Sequence, residues 1–180
     1  MPFTAVPFMK HTDQYVVNGS RKMSNLENAY AAQSLLIGKL LGTSPWLLID
    51  QTRIDAFAQT TEDPQFIHVN AERAKAETPF SGTIAHGFLT LSMASRMMKD
   101  TVATFQGQVM TLNAGFDKLR FLTPVVSGSK IRGIFELKDL KQTSTTRLRM
   151  VTKLTIEIEG STKPALVTDW INVAVFSELE

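Results

Sequence analysis

The chain contains no cysteine, which excludes disulfides, thiolate metal sites and a cysteine nucleophile and fits a reducing compartment. Any bound metal would have to rely on histidine and carboxylate. Neither charge is in excess: 19 Lys and Arg against 17 Asp and Glu leave a formal net charge of +2, too even a balance to suggest a nucleic-acid partner. No apolar run suits a membrane span. Residues 78–95 lack Asp, Glu, Lys and Arg, but Thr78, Ser81, Thr83, His86, Thr90, Ser92 and Ser95 make the segment too polar, and a buried helix is the better reading. The opening MPFTAVPFMK has no basic segment ahead of its apolar residues and is interrupted by two prolines, so it does not read as a signal peptide, and a cytoplasmic protein is expected. Repeats, low-complexity tracts and a Gly/Pro-rich linker are also missing. With 180 residues, 43% of them apolar, one domain spanning 1–180 is the expectation.

What is present divides by period. Ser24 and Glu27 form a capping box, and Leu26, Tyr30, Ile37, Leu40 and Leu41 recur on one face until Gly42, predicting a helix over about 25–41. Asp50 caps a second helix bearing Ile54, Phe57 and Ala58, and Asn70 caps a third over 71–77 that Pro79 ends. From Thr83 to Lys99, apolar residues cover most of the helical circumference, as a helix wrapped by other structure requires, with Arg96 and Lys99 at the C-terminal end of the dipole. Met93, Met97 and Met98 read as core filling.

Beyond about residue 108 the period becomes two. Ile131, Gly133, Phe135 and Leu137 share one face, as do Leu148, Met150, Leu154, Ile156 and Ile158. A last strand over about 165–176 is apolar on both faces, and burial of both is expected. Helices succeeded by long antiparallel strands, with one apolar helix between, predict an α+β domain in which a sheet covers a central helix.

The stretch TTEDPQFIHVN holds Asp63 and His68 five positions apart on a proline-stiffened loop. If the chain turns back there, a carboxylate and an imidazole share one small volume and can hold one water between them. Such a pair takes a proton from water and delivers one to carbon, typically worth ~10²–10⁴ in rate. About twenty residues on, GTIAHGF opens the buried helix, whose free N–H groups and positive dipole end can receive developing negative charge. Gly87 lets a carbonyl approach closely, and one such donor is worth roughly 3 kcal/mol.

The bland readings stand beside these. Asp63 is also a natural turn residue before Pro64, His86 serves as a helix cap with a third active-site group as its alternative, and Gln65 is either near the water or a loop amide bonded locally. Asp63, His68 and His86 together also have the chemistry of a metal ligand set. Lys118 and Arg120 read as solvated strand charges, and His11 as a surface residue.

Glu62, Asp63, Pro64, Gln65, Phe66, Ile67 and His68 together resemble the G-D-x-N-P-[LIV]-H signature of the MaoC-like, (R)-specific enoyl-CoA hydratases. GTIAHGFLTLSM and GFDKLRFLTPVVSGSKIRG extend the similarity over roughly residues 45–176. It is greatest to the nodulation-protein-N-like branch, and residues 1–43 form an N-terminal extension. Glu62 for Gly, Gln65 for Asn and Phe66 for Pro depart from the signature. The resemblance implies a hot-dog fold, a curved antiparallel sheet around a long helix, paired as a homodimer. It implies catalysis by Asp63 and His68 jointly on water added to a trans-2-enoyl thioester, with the Gly87 N–H on the thioester oxygen. Coenzyme A or an acyl-carrier protein would belong to the substrate, and no metal or redox cofactor would be needed. A hot-dog thioesterase, and a non-catalytic acyl-thioester- or protein-binding module docking through its N-terminal helix, are the alternatives.

Overall fold

The computed structural model describes residues 23–177; His11 and the opening segment lie outside them. Ser24 and Glu27 close the expected capping box, each side chain accepting from the other's backbone N–H, and start α1, Asn25–Ser34. Two reciprocal bonds within four residues stabilise a helix start by roughly 1 kcal/mol. The helix ends seven residues before the expected stop. After the Leu35 cap a turn runs to Gly38, at φ 78°, where the Gly38 N–H donates to Leu137 O at 2.7 Å while Leu137 N–H donates to Lys39 O at 3.0 Å. The sheet thereby captures the chain at this turn, and Leu40–Thr43 becomes strand β1. Of the expected face only Leu26 is buried, together with Ala29; Tyr30, Ile37 and Leu40 are exposed.

Strand β2, Leu47–Ile49, leads into α2, Gln51–Thr61, where the Asp50 carboxylate accepts from Arg53 N–H. A single turn, α3 (Phe66–Val69), and α4 (Ala71–Glu77) come next, the latter capped by Asn70 on Arg73 N–H as its sequence predicts. The long apolar helix α5 runs Gly87–Lys99 and begins four residues later than expected. Residues 83–85 are extended because tertiary bonds hold them. Ile84 N–H donates to Ile67 O, Ala85 N–H to Val125 O, and Ser127 N–H to Thr83 O.

Strands β3 (Gln108–Phe121), β4 (Ser129–Gln142), β5 (Arg147–Ile158) and β6 (Leu166–Phe176) complete an antiparallel sheet in the order β1-β4-β5-β6-β3, with β2 also on β4. Leu89, Leu91, Met93, Ala94 and Met97 of α5 pack against Phe135, Leu154, Ile156, Leu166 and Trp170 of the sheet. This is a hot-dog fold in the α+β class. A second cluster joins Leu26 and Ala29 of α1 to Leu140, Leu148, Ala174 and Phe176, so α1 covers the far end of the sheet.

Two burial expectations need correction. In this single chain α5 is covered on one side only: Phe88 is 67% exposed, and Ser92, Ser95 and Arg96 also face solvent. The inner face of β6 is buried from Leu166 to Phe176, whereas Val167, Ile171, Val173 and Val175 on the outer face are half-buried. Periodicity records which residues share a face, and the neighbours available decide how far that face is covered. No helix among the described residues is long and apolar enough to cross a membrane.

Candidate active site

The end of α2 sets the position of Asp63. Glu62 takes the left-handed conformation (φ 55°, ψ 33°), its N–H reaches Gln59 O, and Asp63 N–H reaches Ala58 O at 3.0 Å. This is the double bond pattern of a Schellman motif, which reverses the chain sharply. Glu62 stands where the family signature has glycine, and it keeps the backbone that glycine would adopt at a strain of about 1 kcal/mol. Phe66, in place of proline, occupies the first helical position of α3 and lies beneath the Arg73 guanidinium, 4.2 Å from the ring centroid.

His68 sits in the single turn of α3 and is 8% exposed. Its Nδ1 lies 2.7 Å from Ile84 O. A carbonyl only accepts, so Nδ1 carries the proton and Nε2 presents its lone pair. Burial holds the His68 pKa below its ordinary value, aided by His86 and opposed by the Ile84 carbonyl and Asp63. The neutral base form is therefore favoured.

His86, 4% exposed, stacks on His68 with ring centroids 3.6 Å apart and planes at 24°. It occupies the N-cap position of α5 without making a side-chain cap bond, which overturns the capping reading. Its Nε2 instead donates to the Asp63 backbone carbonyl at 3.0 Å, and lies 3.9 Å from Asp63 Oδ2. Its Nδ1 is buried without a partner.

Ligand-capable atoms of Asp63, His68 and His86 thus fall within 4.8 Å of one another. They form a poor metal site nonetheless. Lone pairs of near-parallel stacked imidazoles point alongside each other, not toward a common point ~2.0–2.1 Å from both nitrogens. A water held by hydrogen bonds places no such demand on the two ring planes.

A cavity of about 260 Å³ adjoins His68, and its walls include Ile84, Gly87, Thr90, Phe121 and Val125. Gly87 is the first residue of α5, so its N–H has no acceptor within the helix. The Phe121 ring lies so close that a Cβ on Gly87 would come within 3.1 Å of two of its carbons. His68 and Gly87 therefore line the same cavity. The Asp63 side chain, 55% exposed, does not line the cavity and reaches the imidazoles with Oδ2 3.9 Å from the His86 Nε2. The Gln65 side chain is exposed and lies away from the cavity; its contribution is its carbonyl, which accepts from His68 N–H at 2.8 Å.

Sequence reasoning missed the support of this site. Gln51, at the start of α2, donates through Nε2 to His68 O at 2.8 Å and to Asp55 Oδ1, while its Oε1 accepts from the Thr83 hydroxyl. One amide thus ties α2, α3 and the extended segment before α5 together. No local pattern marks Gln51, because its partners lie 17 and 32 positions away.

Comparison with known proteins places the chain in a family. The MaoC like domain model matches residues 32–159. The chain is 47% identical over 144 residues to "Nodulation protein N" of Rhizobium meliloti (strain 1021), covering 80% of this chain and 89% of that protein. It is 39% identical over 134 residues to "3-hydroxyacyl-thioester dehydratase Z" of Mycobacterium tuberculosis (strain ATCC 25618 / H37Rv), covering 74% and 87%. Among solved structures, the (R)-hydratase from A. caviae involved in PHA biosynthesis shares the fold with a TM-score of 0.63 at 21% identity, covering 78% of this chain and 97% of that one. A Schellman turn carrying Asp63, a buried His68 and a helix opening on Gly87 are thus set in a hot-dog frame matched along most of its length, and the chain belongs to the MaoC-like dehydratase family, in its nodulation-protein-N-like branch.

Proposed function

We propose that this protein is a hydro-lyase that reversibly adds water to trans-2-enoyl thioesters, giving (R)-3-hydroxyacyl thioesters of coenzyme A or an acyl-carrier protein. The observation that carries this reading is that the Asp63 carboxylate and the His68 imidazole fall within one small volume, with His68 lining the same cavity as Gly87 at the start of α5. The names of the 39%-identical dehydratase and of the (R)-hydratase that shares the fold point the same way.

In the hydration direction the thioester oxygen accepts from the Gly87 N–H. Asp63 and His68 orient one water against C3, its oxygen forms the new C–O bond, and electron density moves through C2 to the thioester oxygen. The proton removed from water passes through the pair, C2 gains a proton, and the carbonyl is restored. The pair ends as it began, so the step needs no metal or redox cofactor. Acid–base work of ~10²–10⁴ and an oxyanion donor of ~10²–10³ act at different points of the transition state.

The working unit proposed is a homodimer. Strand β3 is a 14-residue sheet edge with Val109, Met110 and Leu112 exposed, and Phe88, Phe121 and Leu122 add apolar surface near its far end. Long apolar edges of this kind are templates for pairing. A second copy there would also extend cover toward the exposed side of α5. Light scattering coupled to gel filtration should give twice the chain mass, and a monomer at assay concentration would remove this part.

The deciding experiment is a spectrophotometric hydration assay with crotonyl-CoA and longer enoyl-CoAs. Loss of the enoyl absorbance with formation of the (R)-3-hydroxy product is expected. Release of free CoA thiol without hydration would replace the reading with thioester hydrolysis, and tight binding without turnover would replace it with a binding module.

A further inference from the structure

His86 links three parts of the site that the proposed reaction uses separately. Its Nε2–H holds the Asp63 carbonyl at 3.0 Å, its ring lies 3.6 Å from the His68 ring, and its own peptide bond leads into Gly87. Phe57 of α2 closes on it from another side, with centroids 5.0 Å apart. A residue needed for packing alone would be better replaced by an apolar ring, since burial leaves the His86 Nδ1 without a partner. What an apolar ring lacks is the Nε2–H that restrains Asp63.

We propose that His86 is a positioning residue that keeps the Asp63–His68 pair in register with the oxyanion end of α5. This rests on the hydratase reading and adds a residue to it. Chain reversal at Glu62 brings Asp63 near the imidazoles, but the carboxylate is more than half exposed and makes no hydrogen bond of its own among the described residues. The bond to its carbonyl is therefore the tie at Asp63 itself, whereas the Ile67–Ile84 and His68–Ile84 bonds hold the loop further along. The stack acts on His68 as well: the titratable groups facing His68 are His86 and Asp63, whereas α2 presents the uncharged Gln51 and Phe57. His86 opposes, and Asp63 favours, a proton on His68.

Two substitutions separate the roles. His86→Phe keeps a stacking ring and removes the donor. Turnover should fall by about 10²-fold, the usual consequence of misplacing a reacting group by around 1 Å, while KM stays within about two-fold and the melting temperature is not lowered. His86→Gln lets an amide N–H reach the Asp63 carbonyl without an imidazole neighbour. It should recover at least about ten-fold over the Phe variant, with the NMR titration of the His68 ring moved to higher pH than in wild type. Full turnover in the Phe variant, a loss confined to KM, or a His68 titration identical in wild type and the Gln variant would each overturn the proposal. Wild-type protein that hydrates no enoyl thioester would remove the hydratase reading, while the His68 titration would still decide whether His86 sets that ring.

Discussion

Gly87→Ala separates an oxyanion role from a packing role. The added methyl would lie 3.1 Å from Phe121 Cδ1 and Cε1 and 3.3 Å from Cζ, short of the ~3.5–4.0 Å at which carbon atoms rest. The Phe121 ring, 47% exposed and in edge contact with Phe88, must give by a few tenths of an ångström. A ring at the surface can do so for less than about 1 kcal/mol, and alanine returns part of that through its better helix propensity. Stability should therefore change little. On the proposed function, a methyl beside Phe121 at this helix start would also crowd a thioester oxygen approaching the Gly87 N–H. Losing one oxyanion donor removes roughly 3 kcal/mol of transition-state stabilisation, or about 10² in kcat/KM. The assays are enoyl-CoA hydration at several substrate concentrations and thermal unfolding of the same preparation. Activity within about three-fold of wild type at unchanged stability would refute the assignment of Gly87. A fall in melting temperature large enough to account for the lost activity would return it to packing.

Asp63→Asn and His68→Ala should each lower turnover by about 10²-fold or more, and a hydration assay retaining wild-type rates in both would remove the catalytic pair. His68→Ala also leaves a cavity beside His86, so its unfolding should be tracked in parallel; Asp63, being exposed, should tolerate Asn with little change in Tm. Glu62→Asn relieves strain at a left-handed residue and should raise stability by about 0.5–1 kcal/mol, a few degrees in Tm for a chain of this length; an unchanged or lower Tm would show that the turn is not strained. Because burial lowers the His68 pKa in the folded state, the unfolded chain binds this proton first as pH falls. Stability linked to His68 is then complete above the ordinary histidine pKa of ~6.5 and lost progressively below it. Denaturant titrations between neutral and mildly acidic pH should show this slope, and its persistence unchanged in His68→Asn would assign it to other groups.

The caps at Ser24, Asp50 and Asn70, the period-two strands and the five-residue spacing of Asp63 and His68 were all legible from the sequence. Each depends on contacts closing within a few positions, or on a repeat that the chain carries locally. The end of α1 was not legible, because β4 captures the Gly38–Lys39 turn through Leu137, about a hundred positions away. The start of α5 was equally hidden, since the bonds that hold Ile84 and Ala85 extended come from Ile67 and Val125. At the site, the sequence showed the carboxylate, the imidazole and the glycine. Only the tertiary structure decided that His86 bonds to Asp63 O 23 positions away, that Ile84 O sets the His68 tautomer across 16, and that Gln51 reaches His68 O across 17. Local patterns specify which groups a segment carries, whereas the direction each group faces is set by partners that folding brings to it from distant parts of the chain.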